Sequence, residues 1–385
     1  MNGPADPQTV PDIEFAGLKA QYQALGPEID ARMAAVVAHG RFIMGPEVAE
    51  LEAALGARTG VGHVIGVSSG TDALLAPLMA AGVGPGDAVF MPAFTFTATA
   101  EVVALLGACP VFVDVDPRNF NIDCADLERR VAQVRDAGEL TPRAAIAVDL
   151  FGLPADYAAL TEICAAGDLL LIADAAQSMG ARYHERHSGA LAPITATSFF
   201  PAKPLGCFGD GGAIFTDDDA LAANLRSIRV HGSGKAKYEI ERIGLNARLD
   251  TIQAAVLLAK LPALDAEIAA RQTLAERYDA GFGDLVETPA RPNGAASAWA
   301  QYSILTDRRD AVADHLREAG IPTAVYYPRP LHLQPAYRHF GGGEGACPVS
   351  EGLCERILSL PMHGYMSATA ADRIVEAVRD ALSRT

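Results

Sequence analysis

The chain has 385 residues, half of them apolar, which is more than a single hydrophobic core usually takes up, so one large and one smaller domain are expected. Its 47 acidic side chains against 31 basic ones give a formal charge of −16, which argues against a nucleic-acid or anionic-membrane partner; an anionic ligand would have to be held locally. Met1 to Pro11 has neither a basic start nor an apolar run, and no stretch reaches the ~18 apolar residues of a membrane span. Cys109, Cys124, Cys164, Cys207, Cys347 and Cys354 are sparse and lack CxxC spacing, so a soluble, unprocessed, cytoplasmic protein without disulfides or a thiolate zinc site is expected.

Helical patterns at 27–38 and 46–57 come first. Short β-rich runs then alternate with amphipathic stretches: strands are predicted at 63–67, 88–91, 111–115, 145–150, 169–173, 195–200 and 212–216. Several are apolar on both faces, as a mainly parallel sheet covered by helices requires. Long helical patterns run from 249 to about 282, and the Pro- and Gly-bearing stretch 287–298 reads as the connection between a large domain, 1–285, and a small α+β domain, 286–385. In the latter, 299–305 and 323–327 read as strands, 309–319 and 369–383 as helices.

Three places hold candidate chemistry. Ser68-Ser69-Gly70-Thr71-Asp72 puts a helix start at a strand end, where free N–H groups and the helix dipole suit a phosphate, although for this stretch alone a helix cap by Ser69 or Thr71 with no ligand is the simpler reading. Gly66 to Gly70 also fits the G-x-S-x-G elbow of an α/β-hydrolase with Ser68 as nucleophile, although such elbows follow several strands and this one follows the first. Asp174 closes an apolar strand, where ligands of open α/β sheets bind, and could hold a protonated heteroaromatic nitrogen with Gln177 beside it, or simply cap the next helix. Lys203 stands almost alone as a charge in the Gly- and Pro-rich run from Thr197 to Gly212. Desolvation there would lower its pKa and free the amine for Schiff-base chemistry, against the solvated side chain that most lysines are.

Other scans yield little. Gly232-Ser233-Gly234-Lys235 lacks the first Gly and the final Ser or Thr of a P-loop, and Gly82 to Asp87 fails G-x-G-x-x-G at its last position. His184-Glu185-Arg186-His187 is one residue short of a zincin motif and reads as a solvated turn; no metal site stands out.

The ordered set SGTDAL, PAFTFTATAEVV, PVFVDVDP, DAAQS, TSFFPAKPLGCFGDGGAIFT, VHGSG and GLNARLDTIQAA resembles the DegT/DnrJ/EryC1/StrS family of sugar aminotransferases over nearly the whole chain. The resemblance implies a fold type I α/β enzyme with a seven-stranded sheet, pyridoxal 5'-phosphate as cofactor, and a homodimer with active sites at the subunit interface. By motif, Lys203 matches the Schiff-base lysine and Asp174 the acid on the pyridine nitrogen. Gln177 matches the residue near the cofactor's phenolic oxygen and Phe96 the aromatic that stacks on its ring. Gly70, Thr71 and Ser198 match the phosphate cup, with Asn246 entering from the partner subunit. Three positions depart from the family pattern: Ala173 replaces a Glu, Ala247 a Ser, and Tyr326 the His of an H-Y-P stretch.

The resemblance is strongest to 3-aminotransferases of UDP-linked 2-acetamido-3-keto sugars, above all the uronic acid used for bacterial O-antigen, with L-glutamate as amino donor. Arg248 would then clamp the C6 carboxylate with help from Tyr327, unless it pairs structurally with Asp250. UDP-3-keto-N-acetylglucosamine, a dTDP-linked 3-keto-6-deoxyhexose, and a non-catalytic regulatory role are the alternatives.

Overall fold

The computed structural model describes residues 13–236 and 238–384; Met1 to Pro11, read above for a leader, lies outside the described residues. Helices α1 (Leu18–His39) and α2 (Pro46–Thr59) precede a seven-stranded sheet of β1 (His63–Val67), β2 (Asp87–Pro92), β3 (Cys109–Val113), β4 (Thr141–Val148), β5 (Leu170–Asp174), β6 (Ile194–Ser198) and β7 (Gly212–Thr216). The order is β1-β7-β6-β5-β4-β2-β3; neighbours from β3 to β6 are parallel, and β7 runs antiparallel to both β6 and β1.

Side-chain alternation divides the sheet between two cores. Val89, Met91, Ala144, Ile146 and Ile172 face α3 (Gly70–Ala80), α4 (Ala98–Leu105) and α7 (Asp219–Ile228). Ala88, Phe90, Ala145, Ala147, Leu171 and Ala173 face α5 (Cys124–Ala137) and α6 (Tyr157–Gly167). At the β1 edge, Val64, Ala213 and Phe215 pack against α2 and α8 (Thr251–Lys260). Burial on both faces is why these strands read as apolar runs. The crossover helices put the carboxyl ends of β2, β4, β5 and β6 on one edge, where the candidate residues collect.

A separate core joins the carboxyl half of α9 (Leu264–Phe282), from Leu274 on, to β8 (Tyr302–Leu305), α10 (Arg309–Glu318), β9 (Ile357–Leu360) and α12 (Ala368–Ser383). β8 and β9 pair antiparallel, and α11 (Pro348–Arg356) leads directly into β9.

Several boundaries differ from expectation. α1 begins nine residues earlier than predicted and carries Pro27 inside it; buried Gly26, Ile29 and Val36 hold a helix that a mid-helix proline alone would interrupt. The 249–282 pattern splits at a 3-10 turn, Leu261–Ala263, around Pro262. β4 starts at Thr141, whose exposed Thr141 and Arg143 hide its beginning, and ends before a 3-10 turn at Leu150–Gly152. The strand predicted at 323–327 reduces to Ala324 bridging Ser359, because Pro322 and Pro328 leave little backbone to pair; the strand it meets, β9, was not foreseen.

Candidate active site

β5 ends on Asp174, whose buried carboxylate accepts a hydrogen bond from Thr99 Oγ1 at 2.9 Å and from the Ala176 N–H at 3.2 Å. Burial pushes its carboxyl above the ordinary range, while these two donors and the charge of Lys203 pull it back. Lys203 follows β6 on the loop to β7. The loop is tied down by the Lys203 N–H to Phe200 carbonyl bond at 2.9 Å and by Cys207, whose N–H reaches the Phe199 carbonyl at 2.8 Å. The amine itself has no hydrogen-bond or ion-pair partner among the described residues, and burial lowers its pKa although Asp174 opposes the shift. The pair therefore combines an amine disposed to lose its proton with a carboxylate lacking a contact cation, which is the electrostatic need that a pyridinium meets.

The three residues matched to a phosphate cup, Gly70, Thr71 and Ser198, lie together where α3 meets β6. Ser69 caps α3 by accepting from the Asp72 N–H at 3.0 Å, and the N–H groups of Gly70 and Thr71 have no intrahelical acceptor. The Ser198 hydroxyl lies against this turn: a Cβ at Gly70 would stand 2.7 Å from the Ser198 Cβ, so only glycine allows the approach. Gly212 is needed for the same reason, its would-be Cβ falling 2.4 Å from the Ser69 carbonyl oxygen.

Across the cleft, Phe96 is 54% exposed and its ring centroid lies 6.4 Å from that of Tyr327. Gln177 is buried; its Oε1 accepts from the Phe151 N–H at 2.7 Å and its Nε2 points to the Tyr327 hydroxyl at 3.4 Å. Asn246 and Arg248 sit apart from these groups. Their backbone runs beside the end of β1, with Val67 bridging Arg248 and the Ser68 N–H bonded to the Ala247 carbonyl at 3.1 Å. Arg248 donates to Asn246 Oδ1, and its buried Nε lacks a partner. Among the described residues no hydrogen bond ties Asn246 or Arg248 to Gly70, Thr71, Ser198 or Lys203, and Arg248 makes no ion pair with Asp250.

The model of the DegT/DnrJ/EryC1/StrS aminotransferase family matches residues 23–379. The chain belongs to this family. A UDP-2-acetamido-2-deoxy-3-oxo-D-glucuronate aminotransferase of Pseudomonas aeruginosa is 46% identical over 366 residues, covering 94% of this chain and 98% of the relative. A family aminotransferase from Brucella abortus, of known crystal structure, superposes with a TM-score of 0.95 at 51% identity, covering 97% of this chain and all of that one. NtdA of Bacillus subtilis, solved with bound cofactor PMP, superposes at 0.88 with 28% identity, over 98% of this chain and 86% of its own.

As a DegT-type aminotransferase the chain works with pyridoxal phosphate, and its residues fit that group: an uncommitted amine, a buried carboxylate and a glycine-lined anion seat on one sheet edge. The hydrolase reading fails on geometry. Ser68 Oγ bonds only Asp72 among the described residues, and β1 is an edge strand. Motif reading missed Thr99, one step behind Asp174, and Asp149, which follows β4 and receives hydrogen bonds from the Ala155 N–H, Tyr157 and Ser178. The only local signal for Asp149 was an acid at the end of an apolar run.

Proposed function

We propose that the chain moves an amino group from L-glutamate to a nucleotide-linked 3-keto sugar, with UDP-2-acetamido-2-deoxy-3-keto-glucuronate the best fit, as a cytoplasmic homodimer serving bacterial O-antigen and lipopolysaccharide synthesis. The observation that carries it is the presence of buried Asp174 and the unpartnered amine of Lys203, each feeling the other's charge, at the carboxyl edge of the sheet. The substrate class rests on the 46% identity to the Pseudomonas aeruginosa aminotransferase across nearly both chains.

In this reading Lys203 would bind the cofactor covalently, and its freed amine would take the proton from, or return it to, the reacting substrate carbon in each half-reaction. Asp174 keeps the ring nitrogen protonated, and bound pyridoxal phosphate supplies the electron sink that this charge sustains. Gln177 Nε2 faces the phenolic oxygen, Phe96 covers the ring, and Gly70, Thr71 and Ser198 hold the phosphate. Asn246 of the partner subunit completes the phosphate seat, and Arg248 with Tyr327 meets the sugar's carboxylate. The chain divides near residue 286, with the carboxyl half of α9 lending its apolar face to the smaller unit.

The dimer is supported by large apolar side chains left outside: Ile240 at 59% exposure and Ile243 at 83% in the stretch before Asn246, Ile43 at 49%, whose backbone bridges Asp250, and Phe200 at 52% on the Lys203 loop. No helix among the described residues is long and apolar enough to cross a membrane.

The test is the visible spectrum and turnover of purified protein with a panel of UDP- and dTDP-linked 3-keto sugars. A yellow protein whose band borohydride removes by fixing the cofactor to Lys203, and which prefers the uronic acid, is expected. Lys203→Ala is expected to fold yet lose transamination by several orders of magnitude. A colourless, inactive protein supports a regulatory role instead, and preference for a neutral sugar moves the substrate to the N-acetylglucosamine or deoxyhexose class.

A further inference from the structure

A second carboxylate lies behind the Asp174 turn. Asp149 is fully buried and takes three donors: the Ala155 N–H at 3.0 Å and the Tyr157 hydroxyl at 2.7 Å on Oδ1, and the Ser178 hydroxyl at 2.6 Å on Oδ2. Its own N–H donates to the Asp174 carbonyl at 3.0 Å. No cationic side chain pairs with it among the described residues, and burial pushes its carboxyl up to about 7 despite the three donors. So costly a group is retained where its geometry matters.

That geometry is a clamp. One oxygen holds the entry to α6, the other holds Ser178 on the turn that bears Asp174 and Gln177. Between the two arms the chain makes a tight bend, with Phe151 at a left-handed φ of 58° that a bulky residue adopts only when its surroundings impose it. Gly152, at φ 97°, closes the bend; a Cβ there would lie 2.9 Å from the Trp299 and Ala300 nitrogens. The bend aims the Phe151 N–H at Gln177 Oε1. With its oxygen so engaged, the Gln177 amide can present only its NH2 to the cleft.

We propose that Asp149 is a positioning residue: by clamping the 149–155 bend onto the 174–178 turn it fixes which end of the Gln177 amide faces the cofactor's phenolic oxygen. This rests on the role given to Gln177 above.

The experiment is a pH titration of the visible band of full-length holoenzymes, with thermal melting of the apoproteins beside it. A donor on the phenolic oxygen draws charge from it and so lowers the pKa of the neighbouring protonated nitrogen. Gln177→Leu is therefore expected to raise the midpoint by roughly one pH unit. Asp149→Val and the milder Ser178→Ala, which cuts only the arm to the turn, are expected to raise it in the same direction. Asp149→Asn keeps an acceptor for Ala155 and Tyr157 and offers its NH2 to the Ser178 oxygen, so it should stay within about half a unit of wild type. Wild-type midpoints in Asp149→Val and Ser178→Ala, with only melting lowered, overturn the inference while a shift in Gln177→Leu keeps the parent role. A shift in Asp149→Asn as large as in Asp149→Val makes charge, not position, the cause and also overturns it. A wild-type midpoint in Gln177→Leu removes the role of Gln177 and this inference with it.

Discussion

The turn after β5 and the segment 229–250 both contribute candidate site residues, yet they are built on opposite terms. Around Asp174 the polar groups are matched inside the chain: Thr99, Ala176, Gln177, Phe151, Ser178 and Asp149 form a closed hydrogen-bonded set beneath a single uncommitted amine. Along 238–250 much of the segment faces outward, although Ala247 and Leu249 are buried. Asn246 is exposed, Arg248 satisfies only part of its fork, and Ile240 and Ile243 are left without cover. The contrast teaches that the surroundings of Asp174 are preorganised within one chain, whereas Asn246 and Arg248 lie on a surface that a second copy would cover in the proposed dimer.

Changing the preorganised half should have the largest effect. Asp174→Asn removes one charge from a buried pair, a loss of ~3–5 kcal/mol, so transamination is expected to fall by about a hundredfold to several thousandfold with the fold retained. Near-normal turnover in steady-state assays would leave Asp174 as a turn residue and erase the distinction between the two regions.

On the outward half, Arg248→Leu is expected to act on selectivity. A charged hydrogen bond is worth ~1.5–3 kcal/mol, so preference for the 3-keto uronic acid over a matched neutral sugar should drop by about tenfold to about a hundredfold. Dimer content and cofactor occupancy, measured in the same variant, separate this from damage passed on through Asn246, to which Arg248 is bonded. Equal losses on both sugars would end the carboxylate assignment and leave amine transfer untouched.

Mixing variants probes the shared site directly. Lys203→Ala and Asn246→Ala proteins, each nearly inactive, place their lesions in different halves; after subunit exchange at equal amounts half the dimers are hybrids, each with one intact site. About a quarter of wild-type activity should return. No recovery, with exchange verified by tagged subunits, would put Asn246 to work in its own subunit.

How much of this could be read beforehand follows from the range of the interactions. β1 and β7 lie where their apolar runs predicted, and Lys203 stood out because a lone cation in a nearly uncharged, Gly- and Pro-rich loop is a local anomaly. Asp174 was legible as an acid closing an apolar strand, with Gln177 beside it, and the family motifs supplied their roles. Thr99 and Asp149 were not. Thr99 meets Asp174 across 75 positions and Asp149 meets Ser178 across 29, so neither the motif that contains Thr99 nor the apolar run that ends at Asp149 reveals the partner. The pattern that suggested a strand at 323–327 lost to two prolines and to ILSL at β9, which reads as too short and too near a helix to be noticed.

The smallest expected effect belongs to Thr99, the first support of the preorganised half. Its hydroxyl donates to Asp174 and so favours the ionised carboxylate, as does the charge of Lys203, against the burial that raises the pKa. In Thr99→Val the donor is gone and the pKa of Asp174 rises further. The carboxylate is then protonated at a higher pH as the solution is acidified, and its hold on the pyridinium fails sooner. The acid limb of kcat/KM should move upward by roughly one pH unit, while the plateau above it, where Asp174 is ionised in either protein, should stay within about twofold of wild type. A loss of equal size at every pH would mean that valine has displaced Asp174 rather than changed its titration. An unmoved acid limb would mean that the Ala176 N–H and Lys203 set the charge of Asp174 without help from Thr99.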